Sequence, residues 1–422
     1  MSLAALELND QSLLIQGQDG ALHAEPGFAR LTETGVVTGE EARALAWRQP
    51  QFGYNQYWRH LNQTPLVAKR KWARHHGDIA FAQLRSLWTQ VGKPQRLLLL
   101  APGSFSDTQL SLVLGMAAAL PVEVAAVVDS GLAACLEARR RTLYVDMHLH
   151  QVVLTVCAPQ TGRVGIEDQE VFPELGLMQL QNSAAHQISK LLIDSARYDP
   201  LHASDSEQRI HDQLPTWLTQ LCWKPEISAT VDTEHGALPF ILRQDTVRSL
   251  LAERMASIDS FCARHPDCEL VLAQGAALLA GLSHSFAAAA VAPSATATSL
   301  ALAHADALLD QGHGLHRVRE VQADVLPLDE PALNGRLATH VLHGDHALPL
   351  NTPLSIRVTD GGLQLASAID ESADLTLVLR QRRLETLRQN PGANARLPAE
   401  CVPGEAIEVG GHRLRLIEVR HA

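Results

Sequence analysis

Asp146, His148 and His150 stand at every second position of the run Arg141-Thr-Leu-Tyr-Val-Asp-Met-His-Leu-His-Gln-Val-Val-Leu-Thr-Val156. On a straight strand, residues at this spacing share one face. A His-x-His pair beside a carboxylate can hold zinc or iron, which makes His148 and His150 candidate metal ligands. The competing readings are that all three line a turn facing a solvent-filled cleft, or that a turn at Leu149 breaks the alternation. The run itself reads as a strand, a tight connection and a second strand, with Asp146 where the first strand ends. A turn just after a buried strand is where a phosphate loop is often placed. Such loops are rich in glycine, because only Gly brings backbone N–H groups onto phosphate oxygens without a Cβ in the way. Here Met147, His148, Leu149 and His150 fill the place.

Other routes to chemistry are thin. None of the 20 histidines sits in a Gly-x-Ser-x-Gly or Cys–His signature. The six cysteines, at 135, 157, 222, 262, 268 and 401, form no Cys-x-x-Cys pair. They read as reduced thiols of a cytoplasmic protein rather than as a disulfide framework.

The elements that must position these residues follow an α/β rhythm. Leu3 to Ile15 predicts a β-hairpin with a polar turn. Short helices are expected over 38–46, capped by Thr38, and over 78–91. Arg96 to Ala101 is a continuous apolar run between Pro94 and Pro102-Gly103, the mark of a strand buried on both faces. A helix capped by Asp107, a strand over 122–128 and a helix over 131–139 follow, with Asp129 at the last junction. After the opening run come helices over 174–221 broken near Tyr198-Asp-Pro200, a strand-rich 226–243, and an amphipathic helix over 245–264. A buried strand over 269–273 ends at Gly275. Beyond about 318 the pattern turns to short β-type runs, with one helix to consider over 380–388.

With 422 residues, two or three domains are expected. Aromatic residues make up only 4%, so the core must be built from Leu, Ala and Val. A formal net charge of −11 argues against a general nucleic-acid or anionic-membrane binder. Lys69-Arg70-Lys71 with Arg74 is a small basic cluster, read as a solvated helix face. The tryptophans at 47, 58, 72 and 88 are read as packing rather than a stacking platform. The N-terminus has no basic region and meets Glu7 early, which argues against a signal peptide. No apolar run reaches the length of a membrane span.

Order and spacing over about residues 3 to 310 resemble the actin-like ATPase superfamily, most nearly the nucleotide-binding domain of the seventy-kilodalton heat-shock chaperones. Leu6-Glu7-Leu8-Asn9-Asp10-Gln11 stands where that family has Ile-Asp-Leu-Gly-Thr-Thr. Pro102-Gly103-Ser104-Phe105-Ser106-Asp107-Thr108-Gln109 resembles Pro-Ala-Tyr-Phe-x-Asp-x-Gln. Val128-Asp129-Ser130-Gly131-Leu132-Ala133 is similar to Asn-Glu-Pro-Thr-Ala-Ala. The second phosphate loop, Asp-Leu-Gly-Gly-Gly-Thr, falls on Asp146 to Gln151, and the adenosine motif on Val271 to Leu278. The resemblance implies catalytic roles for Glu7, Asp129 and Asp146. It implies that Glu7 and Asp146 hold Mg²⁺, and that Asn9, Asp10, Gln11, His148, Gln274 and Gly275 hold ATP or ADP.

The departures are systematic. Glu7 replaces an Asp and moves the carboxylate by roughly 1.5 Å. Asn9, His148, Leu149, His150 and Gln274 replace glycines, and Leu278 replaces an Arg that stacks on the base. The fold expected is therefore α/β: a two-lobed, ribonuclease-H-like, actin-like ATPase domain over 1–318, with lobes of about 1–155 and 156–318, then a β-rich domain over 319–422. The function expected is a cytoplasmic chaperone-like or scaffolding protein with a degenerate nucleotide site and a protein partner or client. The alternatives are an active Mg-ATP-dependent chaperone-type ATPase and a metal-binding protein using His148 and His150. The phrase over 403–410 also resembles the closing strands of forkhead-associated sandwiches. These bind phosphothreonine through a Gly-Arg and a later Ser-x-x-His; Gly335-Arg336 is present, and no Ser-x-x-His follows it.

Overall fold

The computed structural model describes residues 2–419 except 174, 235, 310–314, 323–336, 345, 360, 361, 371, 381, 382, 391–394, 399 and 400, and except the side chains of 68 and 69. Gly335-Arg336 lies outside the described residues. The chain is mixed α/β, and no helix among the described residues is long and apolar enough to cross a membrane.

Two six-stranded sheets are built to one plan. In the first, Leu3–Glu7, Leu13–Gly17 and Leu22–Glu25 run antiparallel, and Arg96–Ala101 and Glu123–Asp129 then add in parallel on the far side of Leu3–Glu7. In the second, Thr142–Met147, Val152–Gln160 and Arg163–Phe172 are the antiparallel trio. Glu269–Leu272 and Ala290–Val291 are the parallel additions. Each sheet thus has the order 3-2-1-4-5. The strands 142–160, which straddle the division expected near 155, sit together in the second sheet.

The sixth strands come from one short segment. Arg317–Val318 pairs with Glu123–Asp129 in the first sheet, and Glu320–Gln322 pairs with Arg163–Phe172 in the second.

Period-2 geometry explains the apolar runs. Ala4 and Leu6, with Leu97 and Leu99, face the helix-covered core of the first half. Leu3 and Ala5, with Leu98 and Leu100, face a core shared with Tyr144, Cys157, Val164, Ala273, Ala301, Val318 and Val321. Both faces are buried, so neither face needs polar residues. The Ala-rich helix Thr296–Ala303 lies in this shared core, where small side chains let backbones approach.

Helix termini follow side chains that are hard to read in advance. The second long helix of the first half, Asp107–Ala118, is capped by Ser106 in a capping box with Gln109, one residue before the Asp107 expected to cap it. The helix His76–Gln90 is capped by the His75 ring. The first short helix spans only Glu40–Arg43, after Gly39 rather than Thr38. The basic cluster is not on a helix: Pro65–Arg70 and Ala73–His75 form a hairpin turning at Lys71-Trp72.

The C-terminal part is a sandwich. A five-stranded sheet and a four-stranded sheet share a core of Val341, Ile407, Leu414 and Leu416 from one and Leu354, Ile356, Leu375 and Leu377 from the other. The helix considered over 380–388 is instead the paired strands Leu375–Arg380 and Arg383–Gln389. The latter is an edge strand with its outer face in solvent, which is why its charges mimic a helix surface.

Candidate functional site

The two opening hairpins, one from each half, meet end to end. At the end of Leu3–Glu7 the chain turns through Asn9 and Asp10; at the end of Thr142–Met147 it turns through His148 and Leu149. Asn9 Nδ2 donates to Asp146 Oδ1 at 2.7 Å and to the Met147 carbonyl at 3.1 Å, while Asn9 Oδ1 accepts from the Gln11 amide at 2.9 Å. The Leu149 amide donates to Asp10 Oδ1 at 2.8 Å.

His148 sits between the two turns. Its Nδ1 is 3.4 Å from Asp10 Oδ1 and its Nε2 is 3.3 Å from Asp146 Oδ2. The Nε2 contact has ion-pair distance but not hydrogen-bond alignment, which leaves Asp146 Oδ2 and His148 Nε2 without an aligned partner. Asp10, Asp146 and His148 are all buried. Burial alone disfavours a charged imidazole, but Asp146 and Asp10 outweigh it and raise the His148 pKa to about 10. At neutral pH His148 is therefore an imidazolium between two carboxylates. Glu7 lies beside them, half-buried. Burial first, then repulsion from Asp146, push its carboxyl up to about 8, with His148 pulling the other way.

The turn also seals a helix. Leu177 and Met178, the first residues of the helix Leu177–Ala196, donate their amides to the His148 and Leu149 carbonyls at 3.0 and 2.8 Å. These are the N–H groups that a helix N-terminus offers to an anion. At the N-cap, a Cβ on Gly176 would lie 2.5–2.6 Å from the backbone of Leu149, His150 and Gln151, so glycine is required by the turn itself.

The remaining residues named from the sequence divide. Gln11 Nε2 donates to the Gly275 carbonyl at 3.2 Å, and a Cβ on Gly275 would meet Gln11 Oε1 at 2.5 Å. Gln274 is exposed and does not join the cluster. His150 points away from His148, with its Nε2 3.0 Å from the Asn55 carbonyl and its pKa lowered by burial. The strand ends before it, so the alternation does not carry through. Among the described residues, no group of three or more His, Cys, Asp or Glu side chains is arranged to hold a metal ion.

Asp129 belongs to a second buried network. Arg317 Nη2 donates to Asp129 Oδ2 at 2.7 Å, and Gln169 Nε2 reaches both carboxylate oxygens at 3.2 Å and Thr155 Oγ1 at 3.0 Å. Arg317 also donates to the Pro102 carbonyl at 2.6 Å and the Phe105 carbonyl at 3.1 Å. A Cβ on Gly103 would lie 2.2 Å from the Gln169 side chain.

Elsewhere, Trp47 stacks on His211 with ring centroids 3.9 Å apart and planes 11° from parallel. The Trp47 amide donates to Gln208 Oε1 at 3.0 Å, and Arg48 pairs with Asp205 at 2.8 Å. Burial lowers the His211 pKa to about 4.

No protein-family model matches the chain, and no match to a curated protein is found. Sequence reading missed Arg317, Gln169, Trp47 and His211 as site residues. No local motif marks them, because each acts through a partner distant in the chain.

Proposed function

We propose that the chain has the two-lobed actin-like ATPase architecture followed by a β-sandwich, and that it works as a chaperone-like scaffold for a protein partner without using nucleotide. The observation that carries this reading is the Asp10–His148–Asp146 bridge. It lies where the resemblance puts the facing phosphate loops. The repeated 3-2-1-4-5 order and the paired hairpins support the architecture.

ATP with Mg²⁺ does not fit the residues present. A triphosphate needs free backbone N–H groups and a cation needs free carboxylates. Here the amides of Leu149, Leu177 and Met178 are bonded to protein oxygens. The Glu7 carboxyl is held toward its neutral form, and Asp146 is shared between Asn9 and the His148 ring. The glycine that remains in the adenosine motif, Gly275, is packed against the Gln11 side chain. What the arrangement does instead is join the halves, leaving the outer surfaces and the sandwich for partners.

A thermal-shift titration of the full chain with Mg-ATP and Mg-ADP tests this. A ligand that binds only the folded state stabilises by RT ln(1 + [L]/Kd), about 2.7 kcal/mol at a hundred times Kd. The expected result is no shift at millimolar nucleotide. A shift that disappears in Asp146→Ala would replace this reading with the active ATPase.

A further inference from the structure

The helices Leu177–Ala196 and Gln244–Arg264 pack together and leave a groove of about 520 Å³ between them. The first helix lines it with Asn182, Ser183, His186 and Lys190, the second with Leu250 and Arg254. Two further amides, Gln179 and Gln187, extend the same helical face, so the lining runs over eleven residue steps from 179 to 190. At the helical rise that is ~16 Å, about the length of five residues of extended peptide at ~3.3 Å each.

The lining contains no carboxylate, in a chain whose net charge is −11. Lys190 and Arg254 are exposed cations that form no ion pair among the described residues, and Arg254 makes only a long bond, 3.4 Å, to Ser183 Oγ. His186 is less available, because its Nδ1 lies 2.7 Å from the Asn182 carbonyl. The groove thus offers two unneutralised positive charges, a row of amides that can both donate to and accept from a peptide backbone, and one apolar contact at Leu250. A single small anion would use one cation and leave the length idle; an extended acidic segment uses all of it. We propose that this groove binds an extended acidic segment, about five residues long, of a partner protein. The proposal stands whether or not the Asp10–His148–Asp146 region takes nucleotide.

The test is fluorescence anisotropy of dye-labelled pentaglutamate with the full chain, at low and at physiological salt. Saturable binding that weakens several-fold as salt rises is expected, with none for pentaglutamine. Combining Lys190→Glu with Arg254→Glu should lower the affinity at least tenfold. Combining Arg70→Glu with Lys71→Glu on the basic hairpin should leave it unchanged. Both groove positions are exposed on helices; should charge reversal disturb the circular dichroism spectrum, Lys190→Gln with Arg254→Gln serves with the same readout. No saturable binding at millimolar peptide overturns the proposal. So does equal binding by the groove variant, loss in the hairpin variant, or displacement by inorganic phosphate at matched charge.

Discussion

Asn9 of the first half holds Asp146 of the second through a 2.7 Å bond from its side-chain amide. This bond stands where the resemblance expects a glycine, and it makes the turn a tie between halves. Restoring that glycine should therefore weaken the protein. Asn9→Gly leaves Asp146 Oδ1 without its donor, at a cost of about 1–3 kcal/mol. Urea unfolding should show a lower midpoint with an unchanged slope.

His148→Ala removes the cation between Asp10 and Asp146 and leaves two buried carboxylates facing each other. The expected loss at pH 7 is about 3–5 kcal/mol. Adding Asp10→Asn should return part of it, since one of the uncompensated charges is then gone. Equal stability of the single and double variants would contradict the pairing.

Stability should fall as pH rises. Glu7 is raised from 4.5 to about 8 and His148 from 6.5 to about 10. Each contribution is fully present below the unfolded value and lost as pH climbs through the folded one. His211, lowered from 6.5 to about 4, acts in the opposite sense and costs stability as pH falls through that window. The urea midpoint should decline from near neutrality toward pH 10. Glu7→Gln should gain on the parent steadily between pH 5 and 8, and His148→Ala should flatten the decline above that.

Two glycine substitutions should differ sharply. A Cβ on Gly281 would lie 2.5 Å from Cys222 Cα, which is backbone, whereas one on Gly275 would meet the end of the Gln11 side chain. Gly281→Ala should cost about 1–3 kcal/mol by overpacking. Gly275→Ala should cost little, because Gln11 can swing aside. Thermal melts of the two variants compare them directly.

Arg317→Ala leaves Asp129, with no exposed surface, facing only Gln169 and the Gly131 amide. The loss should be about 3–5 kcal/mol. With Asp129→Asn added, the double-mutant cycle should show strong coupling between the two positions.

What was legible in the sequence was what local physics determines. The run Arg96–Ala101 and the hairpin at Leu3 declared themselves because strands buried on both faces need no polar alternation. The long helix Gln244–Arg264 was visible from Val247, Leu250, Leu251, Met255, Ile258 and Phe261, all buried except Leu250, which lines the groove. Asp146 was picked out because it stands where a strand stops, whereas Glu7 was named only through the family resemblance. The rest depended on contacts between distant residues. His150 was expected beside His148, but a tight turn redirected it. Nothing around Arg317 points to Asp129, and nothing around Trp47 points to His211. The Arg383–Gln389 strand was misread because an edge strand carries as many charges as a helix face.

The pairing of Arg317–Val318 with Glu123–Asp129 bears on how the protein is made. Arg317 and Asp129 are 188 residues apart, so the first sheet lacks its last strand until much of the chain has left the ribosome. At ~5–20 residues per second that wait is roughly 10–40 s. During it the edge of Glu123–Asp129 is unpaired and the Asp129 carboxylate lacks its guanidinium. The nascent first half is therefore the stage at which this chain is most open to mispairing, and a variant lacking the 317–322 segment should fail by aggregating during synthesis.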